Sequence, residues 1–95
     1  MRALVNARVA LDDRVADGMA VLLDEGRILD VLPIGHLPLD AEVEDLGGGV
    51  LAPGFIDVQV NGGGGVLFND EPTVDAIAAI AAAHRRFGTT GFLPT

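Results

Sequence analysis

Leu51-Ala52-Pro53-Gly54-Phe55-Ile56-Asp57-Val58-Gln59-Val60-Asn61 is the stretch on which the fold turns. After its Pro-Gly start it is almost continuously apolar. That is the pattern of a strand covered on both faces in a parallel sheet, where alternation disappears because neither face meets water. Asp57 is the odd member, and the pattern makes it the one buried carboxylate. Such a group is paired or hydrogen-bonded for structure before it is catalytic. Gln59 and Asn61 stand two residues apart, so their side chains leave the carboxyl end of the strand on the same side. In a parallel α/β barrel that end is where active sites are assembled. Two carboxamides there can orient a substrate or a water, or they can simply cap the strand end and tie down the loop that follows.

Downstream comes the glycine run Gly62 to Gly65, then a helix predicted from about Thr73 to Phe87. Val74, Ile77, Ile80, Ala81, His84 and Phe87 recur at helical spacing along one side. Thr73 is placed to cap the helix start, Asp75 lies near the positive end of the dipole, and Arg85 and Arg86 lie near the negative end. Gly88 suits the left-handed residue that commonly closes a helix. Phe92-Leu93-Pro94 then reads as the start of another strand, which makes one incomplete βαβ unit. A parallel strand with nothing after it leaves an edge uncovered, so the chain is expected to be a fragment of a larger protein.

Upstream, between Leu4 and Leu46, short apolar groups are punctuated by Asp, Gly and Pro, which is strand spacing. Asp24-Glu25-Gly26-Arg27 separates two β-prone runs and reads as a tight hairpin turn, with Gly26 free to take a positive φ. The chain thus divides into a strand-rich part, residues 1–50, and a strand–helix–strand part, residues 51–95.

Six basic residues against fourteen acidic ones give a net charge of -8, which repels phosphate backbones and anionic lipid heads. Nucleic acid and membrane are therefore excluded as partners, and a cytoplasmic location is expected. With no cysteine there is no disulfide, thiolate metal site or cysteine nucleophile. Serine is absent as well, which removes a serine triad. The glycine run invites a phosphate-loop reading, but no lysine stands near it, and a plain flexible loop is the blander alternative. His36 falls in a Pro- and Gly-rich connection and His84 beside the apolar side of the helix. Neither has a partner at metal-site spacing.

The stretch Gly49 to Asp57, preceded by a hairpin of the form Asp-Glu-Gly-Arg-Ile, resembles the entry to the barrel of amidohydrolase-superfamily enzymes. Most members end that first strand in His-x-His, which binds a divalent metal; here the matching residues are Gln59 and Asn61. In this the chain is similar to N-acetylglucosamine-6-phosphate deacetylases of the single-metal type, which carry Gln-x-Asn, a loop like Gly64-Gly65-Val66-Leu67-Phe68-Asn69-Asp70, and a run like Gly88 to Thr95. The resemblance implies an α/β fold: the first part of a small β-sandwich, followed by the first βα unit of a (β/α)₈ barrel. It implies hydrolysis of N-acetylglucosamine 6-phosphate to glucosamine 6-phosphate and acetate. A divalent metal, zinc, would polarise the amide and activate water while an aspartate moves the proton. Those metal ligands and that aspartate lie on later strands in the family, so no catalytic or metal-binding residue is assigned within residues 1–95, and this chain alone is expected to be inactive. Gln59 and Asn61 are carried over as site-lining, substrate-binding residues, with the loop from Asn61 to Asp70 at the mouth; the family also implies a homodimer. The alternatives are another amidohydrolase, dihydroorotase-like, which Gln59 and Asn61 disfavour, and a non-catalytic module that binds a small anion in its glycine loop.

Overall fold

The computed structural model describes residues 1–95, which form two compact units, Met1–Pro53 and Gly54–Thr95. The first is built from seven strands: β1 Arg2–Val5, β2 Arg8–Ala10, β3 Val15–Ala16, β4 Met19–Asp24, β5 Arg27–Pro33, β6 Glu42–Asp45 and β7 Val50–Leu51. They make a four-stranded sheet in the order β5-β4-β1-β6 and a three-stranded sheet in the order β3-β2-β7. In the larger sheet β4 pairs antiparallel with both β1 and β5, while β6 joins β1 in parallel.

The predicted hairpin is present. Asp24 pairs with Arg27, and the two residues between them, Glu25 and Gly26, both have positive φ, at 48° and 75°. That combination gives a two-residue turn the twist of its flanking strands. Only the glycine adopts it at no steric cost; Glu25 is held in the left-handed region by the pairing on either side.

Packing in this unit centres on β4, where Ala20, Val21 and Leu22 are all buried, together with Ala3 and Val9. Three consecutive buried residues on a strand mean that both of its faces are covered. One face looks toward the smaller sheet: Val21, Ile28 and Val31 share an apolar cleft of about 100 Å³ with Val9, Ala10 and Leu51.

The second unit contains β8 Phe55–Val60, β9 Gly62–Gly63, β10 Val66–Leu67, the helix α1 Val74–Arg85 and β11 Thr89–Pro94. β8 and β11 are parallel neighbours joined through α1, which is the βαβ order read from the sequence. Their partners are Thr89 with Phe55, Gly91 with Ile56, Phe92 with Asp57 and Pro94 with Val60; the ladder is irregular between Thr89 and Gly91 and again between Phe92 and Pro94. The core of this unit is Val60, Ala76 and Ile80.

The helix begins as expected, with the Thr73 hydroxyl accepting the Ala76 N–H at 3.1 Å and Asp75 in the first turn. It closes through Gly88 at φ 98°, whose N–H reaches the Arg85 carbonyl and whose own carbonyl accepts the Phe55 N–H at 2.8 Å. A Cβ at Gly88 would press on the Phe55 ring at 3.2 Å, so both the backbone conformation and the space call for glycine.

Three expectations need correction. The stretch from Leu51 to Val60 is not one strand: it breaks at Ala52-Pro53-Gly54, and Leu51 pairs with Val9 in the first unit. Pro53 has no N–H to continue a ladder, which is why the break falls there. Nor is β8 covered on both faces, since Phe55, Ile56 and Val58 are 61%, 76% and 69% exposed and Asp57 is exposed with them. β8 has a hydrogen-bonded neighbour, β11, on one side only. Lastly, α1 ends at Arg85, so Phe87 lies beyond it and is exposed, and Val74 is on the open side of α1, not on its packed side, which runs through Ala76 and Ile80.

No helix of the chain is long and apolar enough to cross a membrane.

Candidate functional site

Gln59 and Asn61 stand at the carboxyl end of β8, flanking the buried Val60. That order follows from strand alternation: Val60 is turned into the core, so its neighbours on either side are turned out. Both carboxamides are exposed. Each has an N–H₂ donor and a carbonyl acceptor free to meet a hydroxyl, an amide or a water. The Asp57 carboxylate, expected to be buried, instead accepts the Gln59 backbone N–H at 3.1 Å on the exposed strand, a local turn of polar groups that water also reaches.

The loop after Asn61 is a short hairpin. Gly62 pairs with Leu67 and Gly63 with Val66, leaving Gly64 and Gly65 as a two-residue turn with φ of 60° and 81°. The Asn61 carbonyl accepts the Phe68 N–H at 2.9 Å and closes the base of this hairpin. A Cβ at Gly62 would collide with the Val66 carbonyl oxygen, so the hairpin can form only with glycine at that position. Across the run the two short strands pair with each other.

His84 is half-buried, and its Nε2 lies 2.8 Å from the Gly62 carbonyl oxygen. A carbonyl can only accept, so Nε2 carries the proton and donates. Sequence spacing placed this ring beside the apolar side of α1 but gave no sign of its partner, 22 residues away. His36 sits apart, in a short 3₁₀ turn, Ile34–His36, of the first unit.

No group of three or more His, Cys, Asp or Glu side chains converges anywhere in the chain. The donors at the end of β8 are two neutral carboxamides, far weaker zinc ligands than imidazole or thiolate. On their own these two carboxamides do not fit a zinc ion.

A second cluster escaped sequence reading. Asp45 accepts both the Asn6 side-chain N–H and the Gly47 backbone N–H at 2.8 Å, and these bonds hold its carboxyl below the ordinary value, the Asn6 contact contributing most. Asn6 has φ 59°, and Gly48 N–H reaches the Asn6 carbonyl at 2.7 Å. The cluster latches the end of β1 to the end of β6, 39 residues away, and is structural.

The chain is 37% identical over 93 residues to N-acetylglucosamine-6-phosphate deacetylase of Haemophilus influenzae, an alignment covering 98% of this chain and 24% of that protein. It superimposes on the crystal structure of N-acetylglucosamine-6-phosphate deacetylase from Pasteurella multocida with a TM-score of 0.87 at 36% identity, again over 98% of this chain and 24% of the other. Over nearly its whole length the chain is thus similar to N-acetylglucosamine-6-phosphate deacetylases. It spans about a quarter of the length of those relatives. Over a shorter segment, 47 residues covering 50% of this chain and 12% of the other, it is 57% identical to N-acetylgalactosamine-6-phosphate deacetylase of a Shewanella species. No family model matches the chain.

Proposed function

We propose that these residues form part of a hydrolase that removes the acetyl group from an N-acetylhexosamine 6-phosphate, releasing acetate and the free amino sugar phosphate. The observation that carries this reading is likeness in fold and sequence together, a TM-score of 0.87 at 36% identity over 98% of the chain. β8, α1 and β11 then stand as the opening strand, helix and next strand of a (β/α)₈ barrel, whose carboxyl-terminal face is where substrates bind. Gln59 and Asn61 lie at that end of β8 and line the site. Their carboxamides bind and orient the sugar through hydrogen bonds, each able to donate and accept.

The metal ligands and the proton-transferring carboxylate of this reading lie outside residues 1–95. The isolated chain is accordingly inactive, and the site works in the cytoplasm.

Expression of the complete reading frame that contains this chain, with acetate release measured from N-acetylglucosamine 6-phosphate, tests the proposal. Release that a chelator abolishes supports it; a purified, folded product with no release from any N-acetylhexosamine 6-phosphate overturns it. The 57% identity to an N-acetylgalactosamine-6-phosphate deacetylase favours a second reading of the substrate, the epimer with the opposite C4 hydroxyl. The ratio of kcat/KM for the two sugars decides between them.

A further inference from the structure

Three consecutive carbonyls at the end of β8 each accept a hydrogen bond from a different segment. Val60 takes the N–H of Thr95, at the end of β11, at 2.9 Å. Asn61 takes the N–H of Phe68, from the returning side of the glycine hairpin, at 2.9 Å. Gly62 takes Nε2–H of His84, from α1, at 2.8 Å. Asn61 is thus held between a strand, a hairpin and a helix, and of the three donors only the imidazole is a side chain. The hairpin lies flat against the helix because it is made of glycine: a Cβ at Gly63 would come to 2.9 Å from His84 Nε2 and 3.4 Å from the Ala83 methyl, and one at Gly64 to 3.4 Å from the Ala79 carbonyl. The close approach and the imidazole bond depend on each other.

We propose that His84 is a positioning residue, whose Nε2–H bond to Gly62 fixes the direction in which Asn61 leaves β8 and so sets its carboxamide against the substrate. The proposal rests on the reading of Asn61 as a site-lining residue. The glutamine amide nitrogen reaches about as far from the backbone as Nε2, whereas that of asparagine stops near Nδ1. The geometry therefore predicts rescue by one amide and not by the other.

Two measurements test it. In the 95-residue chain, ¹⁵N NMR of the ring reports the Nε2–H tautomer when neutral, and His84→Ala and His84→Asn move the Asn61 side-chain and Gly62 to Gly65 amide resonances while His84→Gln restores them. A ring protonated on Nδ1 instead, or Asn61 resonances unmoved by His84→Ala, overturns the proposal. In the complete deacetylase, His84→Ala and His84→Asn lower kcat/KM roughly five- to tenfold, about what one lost hydrogen bond to a positioned group costs, and His84→Gln stays within about twofold of the parent. Equal losses in all three variants, or a lowered melting temperature with unchanged kcat/KM, make His84 a packing residue only. If the complete protein hydrolyses no sugar phosphate, the proposed function fails, and the NMR measurement still decides the positioning.

Discussion

β4 and β8 are both six-residue strands of mainly apolar residues, yet they live in opposite surroundings. In β4 the residues Ala20, Val21 and Leu22 are at most 7% exposed; in β8 Phe55, Ile56 and Val58 are at least 61% exposed. Their neighbours make the difference. β4 has a hydrogen-bonded strand on each side and the smaller sheet against one face, whereas β8 has β11 alone as its ladder partner. Burial is thus a property of what surrounds a strand, and an apolar run fixes only its capacity to be buried.

That comparison can be broken most decisively at the packed positions. Leu22→Ala in β4 and Ile80→Ala, which empties the one fully buried large side chain of the second unit, should each cost roughly 2–4 kcal/mol in denaturant unfolding. A cost under about 1 kcal/mol at either site would mean that its unit is not packed around that residue. Removing the helix cap by Thr73→Ala should cost about 1 kcal/mol and loosen the first turn of α1 in amide exchange, with no effect on the first unit.

A smaller effect is expected at Asp45, whose carboxylate is fully solvated. Its folded pKa is depressed, so its contribution is present above the ordinary value of 3.8 and is lost as the pH falls through the lower, folded value. The urea midpoint of the parent should therefore fall more steeply in acid than that of Asp45→Asn; parallel curves would remove the latch from the account. The smallest effect belongs to the strand that opens the comparison. Val58→Ala in this chain should change stability by no more than about 0.5 kcal/mol, because that side chain is 69% exposed. A larger loss would show that β8 finds cover in solution.

The parts of the fold that were legible are those set by neighbours in sequence. The Asp24 to Arg27 hairpin, the Thr73 cap, the helix and its Gly88 closure each depend on residues within a few positions of one another, and each is found where the spacing puts it. The break at Pro53 was written in the sequence as a missing N–H, but the apolar run on either side outweighed it in the reading. Val74 and Phe87 share a helical period with Ile80, yet the period alone does not say how wide the covered stripe is. At the candidate site, the placement of Gln59 and Asn61 at the end of β8 was legible from alternation. The Gly62 to Leu67 hairpin and its bond to His84 were not, since they depend on the helix lying against the hairpin. The Asn6–Asp45 latch, joining residues 39 apart, left no local mark at all.

The two irregularities in the β8–β11 ladder have opposite sign. From Thr89 paired with Phe55, the offset between partners grows by one at Gly91 and shrinks by one again at Pro94 paired with Val60. They behave as a pair of dislocations that annihilate: Gly91 and Phe92 run one step out of phase, and the strands are back in step at Pro94 and Val60. A single such defect would have propagated to the end of β11 and presented the wrong face beside Gln59 and Asn61. Deleting one residue between Thr89 and Gly91 would thus not tidy the sheet but leave the second defect uncancelled, with its phase error delivered to the end of β11 beside Val60.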